Sequence, residues 1–176
     1  MGLLGYLKKM KKENGEKKVL VLGLDNSGKT TILKAVSEEN IQNIKPTEGF
    51  NIKNLAVEGV SLCVWDLGGQ KALREYWSNY YEGTNAIIYV IDSVDENRLS
   101  EAGAELKKLL EESHLSSIPV LIFANKQDIS IALPPDQIAE ILNLQDIKDR
   151  RWMIAACSAH THEGLDDGLE WIINNL

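Results

Sequence analysis

Cysteine is scarce in this 176-residue chain: only Cys63 and Cys157 occur, both in apolar, strand-like runs. Neither has metal-site spacing, so the expectation is two reduced, buried thiols in a cytosolic protein, not a disulfide framework. Long hydrophobic runs are missing as well. The best, "AIIYVI" (86–91) and "VLIFA" (120–124), fall far short of the roughly 20 residues that span a bilayer. The opening residues carry their basic charge after the apolar positions, and no cleavage site follows, which speaks against a secretory signal. Positive charge is in deficit overall, 19 Lys and Arg against 26 Asp and Glu, a net of −7. Residues 1–18 run against this trend, with six lysines and two glutamates, so the remainder carries −11. That balance excludes a broad nucleic-acid surface and leaves the basic end free to touch anionic lipid.

What is present alternates short β-rich runs with helical ones. Residues 17–24 read as a strand entering a glycine turn, and 29–40 as a helix with Ile32, Leu33 and Val36 on one face. Residues 51–66 hold two alternating runs around Glu58-Gly59, a hairpin signal. The runs 86–92 and 118–125 are continuously apolar, as buried parallel strands are. Helices are expected over 96–114, over 133–143 behind two prolines, and from 164 to the end, with a last strand in 151–159. The alternation predicts an α/β domain: about six strands, mostly parallel, one antiparallel edge strand, and helices on both faces. One domain is expected, long enough to bury roughly 70% of the unfolded surface. The division is residues 1–16 as an amphipathic N-terminal helix and 17–176 as the domain proper.

Three motifs carry chemistry. "GLDNSGKT" (Gly23, Leu24, Asp25, Asn26, Ser27, Gly28, Lys29, Thr30) fits G-x-x-x-x-G-K-[ST], follows a strand and opens a helix that continues through Thr31. Backbone N–H groups there would cradle phosphate oxygens, Lys29 would reach the β- and γ-phosphates, and the Thr30 hydroxyl would ligate Mg²⁺. In "WDLGG", Asp66 at a strand end suits a Mg²⁺ partner through water, and Gly68 and Gly69 let backbone approach a γ-phosphate. "NKQD" follows a buried strand, where ligands of open α/β sheets sit. Asp128 could accept from the N1–H and exocyclic amine of guanine, a donor pair adenine lacks. Asn125 would hold N7 and the loop, the Lys126 stem would cover the ring, and the Ala159 N–H of "CSA" (with Ser158) could meet O6. His160 and His162 read as solvated loop residues.

These motifs, in this order, resemble those of Ras-superfamily small GTPases with a P-loop G-domain. "GLDNSGKTT", "PTEGFN", "VWDLGGQ", "YW" and "NKQD" are similar to the Arf/Arf-like family over essentially the whole chain. The resemblance implies GTP and GDP as ligands with Mg²⁺, Thr47 as a second metal-ligating residue, a Gly69 N–H aimed at the γ-phosphate, and Gln70 orienting the attacking water. Gln70, Lys29 and Thr47 would then carry the catalysis. It implies that Phe50, Trp65 and Tyr80 form an aromatic trio read by effectors. Slow hydrolysis is expected, stimulated by an activating protein supplying an arginine in trans, because the resemblance places no arginine of this chain to act in cis on the phosphates and Arg74 reads as a partner-facing residue. An exchange factor, and lipid-binding carrier proteins whose prenylated or acylated cargo the GTP form releases, complete the implied partners. The implied setting is a monomer in the cytoplasm and on membranes, with the cilium, flagellum or Golgi as destinations. Open alternatives are a non-hydrolysing nucleotide-dependent module, another Arf-like vesicle-traffic GTPase, and a P-loop ATPase or kinase, which Asp128 opposes.

The first twelve residues complete this picture. Leu3, Leu4, Leu7 and Met10 form one helical stripe with lysines opposite, and a helix this short needs a surface to lie on. Gly2 invites myristoylation, yet Tyr6 replaces the Ser or Thr that signal requires. In the implied family that surface is the protein itself in the GDP state. Alternation lets the hairpin 51–66 slip by two residues without inverting its faces. GTP binding is expected to drive that slip and free residues 2–12 for reversible membrane or effector contact.

Overall fold

A computed structural model describes residues 15–37 and 49–176. Six strands form one sheet: β1 (Lys17–Leu22), β2 (Phe50–Val57), β3 (Val60–Leu67), β4 (Ala86–Asp92), β5 (Val120–Asn125) and β6 (Trp152–Ala156). Their order is β2-β3-β1-β4-β5-β6, parallel except for the edge pair β2/β3. This is the expected sheet. Five α-helices accompany it among the described residues: α1 (Lys29–Val36), α2 (Lys71–Arg74), α3 (Leu99–Glu111), α4 (Pro135–Ile141) and α5 (Leu165–Asn174). The expected N-terminal helix and its stripe of Leu3, Leu4, Leu7 and Met10 lie outside the described residues, as does Thr47.

Strand periodicity divides the core. Leu20, Leu22, Ile87, Tyr89 and Ile122 point to one face and pack with Leu106 and Leu109 of α3 and Ile138 of α4. Val19, Val21, Ile88, Leu121 and Phe123 point to the other and meet Leu33 of α1 and Ile172 of α5. Because both faces are covered, positions 19–22, 86–91 and 120–124 are apolar without interruption, which is why they read as continuous runs. The hairpin turns on Glu58 and Gly59, both at positive φ (50° and 78°), as a two-residue type I′ turn demands. No helix among the described residues is long and apolar enough to cross a membrane.

Both cysteines are buried and neither is in a disulfide. Burial pushes the Cys157 thiol up to about 12. Since the thiolate is the reactive species, native protein at pH 8 should leave a disulfide-exchange reagent nearly unreacted for minutes. After addition of denaturant, two thiols per chain should titrate at once. Stoichiometric reaction before denaturation would contradict this packing.

Candidate functional site

The sequence-predicted residues converge at the carboxyl ends of β1, β3, β5 and β6, where an open parallel sheet places its ligand crevice. After β1 the chain turns through Asn26 (φ 64°) and Gly28 (φ 100°) before α1 begins at Lys29. A Cβ on Gly28 would run into the Asn125 amide, so only glycine lets the loop close against the "NKQD" segment. Asn125 is buried and donates from Nδ2 to the Ser27 carbonyl at 3.0 Å. Its Oδ1 accepts the Ala159 N–H at 3.3 Å. One amide thus ties together the loops after β1, β5 and β6.

Lys29 is 6% exposed, and its ammonium donates to the Leu24 carbonyl at 2.8 Å. Burial pulls its pKa from 10.5 down to about 8, against the opposing pull of the Asp66 and Asp25 charges. A lysine held at this desolvation cost inside a glycine-rich loop suits an anion that restores its charge. Beside it, Thr30 Oγ1 donates to Asp66 Oδ2 at 2.5 Å. A hydroxyl and a carboxylate oxygen thereby meet at the first turn of α1, an all-oxygen set of the kind Mg²⁺ takes. The residues present therefore fit a phosphate chain with its cation. Thr31 follows on α1, half-buried. Ser27 is buried, and its hydroxyl finds no partner among the described residues.

The turn after β3 is pinned on all sides. Gly68 donates to the Gly49 carbonyl (2.8 Å), and Trp77 Nε1 donates to the Gly68 carbonyl (2.9 Å). The Gly69 carbonyl accepts both the Asp25 N–H (3.1 Å) and Arg74 Nε (2.8 Å). A Cβ on Gly69 would overlap the backbone of residues 23–25, so the second glycine permits direct contact of the two loops. Gln70 is exposed and stands at the start of α2.

Arg74 corrects a sequence expectation. It does not face a partner: its side chain is 5% exposed and lies between Glu101 (2.7 Å), Glu105 (3.6 Å) and Asp25 (3.4 Å). The three carboxylates belong to the loop after β1 and to α3, which no local pattern near position 74 could reveal.

On the base side, Ser158 Oγ donates to Asp128 Oδ1 at 2.8 Å, orienting an otherwise exposed carboxylate. Lys126 sits in the left-handed region (φ 67°) and donates to the Asn26 carbonyl and to Asp92 Oδ2, each at 2.7 Å. Its stem is thereby laid across the mouth of the crevice. Sequence reasoning missed Asp92 and Arg98; only Asp92, a carboxylate ending an apolar strand, carried a readable signal. His160 and His162 are exposed loop residues as expected, and no cluster of metal-ligating side chains occurs among the described residues. Phe50, Trp65 and Tyr80 do form a cluster, with ring centroids 5.5–6.0 Å apart. Trp65 is buried beneath the partly exposed Phe50 and Tyr80.

Residues 3–176 match the model of the ADP-ribosylation factor family. An ADP-ribosylation factor-like protein 3 of Chlamydomonas reinhardtii is 54% identical over 176 residues, covering all of this chain and 99% of that protein. A protein of the same name from Caenorhabditis elegans is 51% identical, over 100% and 97% of the two chains. An ADP-ribosylation factor-like protein 2 of Dictyostelium discoideum is 48% identical, over 100% and 96%. Among solved structures, the Arl6 BBS3 small GTPase of Trypanosoma brucei, with bound nucleotide analogue GppNp, superposes with a TM-score of 0.84. It is 33% identical and covers 90% of this chain and 96% of its own.

Proposed function

Because this chain belongs to the ADP-ribosylation factor family, we propose that it is a GTP-driven switch whose GTP form makes lipid-binding carrier proteins release prenylated or acylated cargo. The chain is a GTPase, binding GTP and GDP with Mg²⁺ and converting GTP to GDP and phosphate. The observation that carries the reading is the juxtaposition of a buried Lys29 with the Thr30–Asp66 pair, at the mouth of a loop that Asn125 locks to the base-side segments.

In this reading the loop Gly23–Thr31 wraps the phosphates with its N–H groups, and the Lys29 ammonium regains its full charge against them. Thr30 and Thr47 hold the cation, with Asp66 acting through water; Mg²⁺, when bound, offsets charge on the β- and γ-phosphate oxygens. Gly68 and Gly69 bring backbone to the γ-phosphate, and Gln70 orients the attacking water. Asp128, held by Ser158, selects guanine, Lys126 covers the ring, and Asn125 and Ala159 complete the pocket. Arg74 is committed to internal carboxylates, so a partner protein must bring the arginine that speeds hydrolysis. Phe50 and Tyr80, backed by Trp65, offer the effector platform. Residues 1–16 act as the N-terminal switch segment, displaced when the hairpin slips by two residues, and 2–12 then touch membrane or effector. An exchange factor reloads GTP. The protein works as a monomer between cytoplasm and membrane, with the cilium or Golgi as its destination.

The test is release of a fluorescent farnesylated or acylated peptide from such a carrier. Full-length protein loaded with a non-hydrolysable GTP analogue should speed release at least tenfold over the GDP-loaded form. Deleting residues 2–12 should weaken that difference. Equal release by both nucleotide forms would remove the cargo reading.

A further inference from the structure

Asp25 is an odd residue to find in a loop that wraps an anion. It precedes Lys29 by four positions, and its charge acts on the Lys29 ammonium. Each phosphate added at that lysine brings more negative charge toward the carboxylate. Two guanidinium groups address the problem. Arg98 donates from Nη2 to Asp25 Oδ1 at 2.6 Å and from Nη1 to the Asp25 carbonyl at 3.1 Å. Arg74 Nη2 reaches the same Oδ1 at 3.4 Å. Both arginines share Glu101, at 2.7 Å from Arg74 and 3.3 Å from Arg98.

The two arginines are not equivalent. Arg74 is buried and also holds the Gly69 carbonyl and Glu105, so its loss would disturb the turn after β3 itself. Arg98 is 30% exposed, sits just ahead of α3, and spends its strongest contacts on Asp25. Although burial by itself would raise the Asp25 carboxyl, the Arg98 hydrogen bond and charge outweigh it and hold the group below the ordinary range. The carboxylate is therefore present at all physiological pH values.

Resting on the guanine-nucleotide reading, we propose that Arg98 is a specificity-determining residue: by neutralising Asp25 in the phosphate loop it sets the preference of this site for nucleoside triphosphate over diphosphate. The diphosphate lacks the γ-phosphate charge, so it is less sensitive to an unscreened Asp25. The triphosphate brings that charge to the segment where Asp25, Lys29 and the Gly69 turn meet.

The experiment measures affinities of the full chain for GDP and for a non-hydrolysable GTP analogue, by competition against a fluorescent guanine nucleotide with Mg²⁺. Arg98→Met should lower the triphosphate-to-diphosphate preference about tenfold, the size expected for one unmatched unit charge at roughly 10 Å in a partly screened setting. Arg98→Lys, which keeps the charge, should hold the preference within threefold of the parent. Asp25→Asn combined with Arg98→Met should restore it, because the charge that Arg98 screens is gone. A merely structural tie would lower both affinities together and would not be rescued by Asp25→Asn; that result would overturn the proposal. Should Arg98→Met fail to fold, Arg98→Gln with and without Asp25→Asn decides: screening requires the preference to fall in the first and return in the second, and equal preference in both would overturn the proposal. Failure of the parent protein to bind either guanine nucleotide would instead overturn the underlying reading.

Discussion

Replacing Asp128 with asparagine is expected to lower affinity for GTP and GDP by about 10²–10⁴-fold. Two hydrogen bonds from guanine to a charged acceptor are at stake, each worth about 1.5–3 kcal/mol. An asparagine retains one acceptor and presents an amide donor toward a base that also donates, leaving polar groups unpaired. The loss should therefore exceed that from simple weakening of a contact. The same substitution should admit xanthine nucleotide, whose carbonyl replaces the exocyclic amine and matches the new donor. Ser158 keeps a partner in either variant, since the amide oxygen can still accept its hydroxyl, now at 2.8 Å from Asp128 Oδ1. The fold should stay intact. Competitive displacement of fluorescent guanine and xanthine nucleotides checks both halves; unchanged guanine affinity would remove Asp128 from the base pocket.

Gln70→Leu is expected to separate binding from chemistry. Gln70 is exposed at the start of α2, and its backbone carbonyl already accepts from Leu73 at 2.8 Å, so the main-chain turn does not depend on its side chain. GTP affinity should stay within about threefold, whereas hydrolysis stimulated by an activating protein should fall about 10²–10³-fold. That is the scale of removing one group that acts only in the transition state. Equal losses of affinity and rate would instead mean that Gln70 supports the loop, not the water.

Much of this molecule is legible from local pattern. Strand β4 is legible because "AIIYVID" is buried on both faces and ends at a polar turn. The hairpin was found from Glu58-Gly59, and the phosphate loop from spacing alone, since both depend on residues close in sequence. Helix α3 is shorter than its pattern predicts. The expected span 96–114 breaks into a 3-10 turn at Glu96–Arg98, the helix proper at Leu99–Glu111, and another turn at Ser113–Leu115. Arg150 donates to the Leu110 and Leu115 carbonyls near that end, a long-range cap that no local signal announces.

The candidate site divides along the same line. Lys29, Asp66, Asn125 and Asp128 lie inside short motifs and were found. Arg74 and Arg98 take their roles from Asp25, 49 and 73 positions away in sequence, and only the folded sheet brings them together. Arg74 accordingly reads from the sequence as partner-facing although it is buried. Asp92 ends an apolar strand, but its partner Lys126 lies 34 positions away, in left-handed backbone at the start of the base-side loop.

Single-turnover phosphate release tests the central claim most directly. Full-length protein, loaded with GTP and Mg²⁺ and freed of excess nucleotide, should release phosphate slowly, on the order of 10⁻⁴–10⁻³ per second, because no arginine of its own is free to act on the γ-phosphate. ATP in large excess during loading should not reduce the yield. Rapid release without any partner, or loading abolished by ATP, would contradict the assignment of this crevice as a guanine-selective switch that depends on an outside arginine.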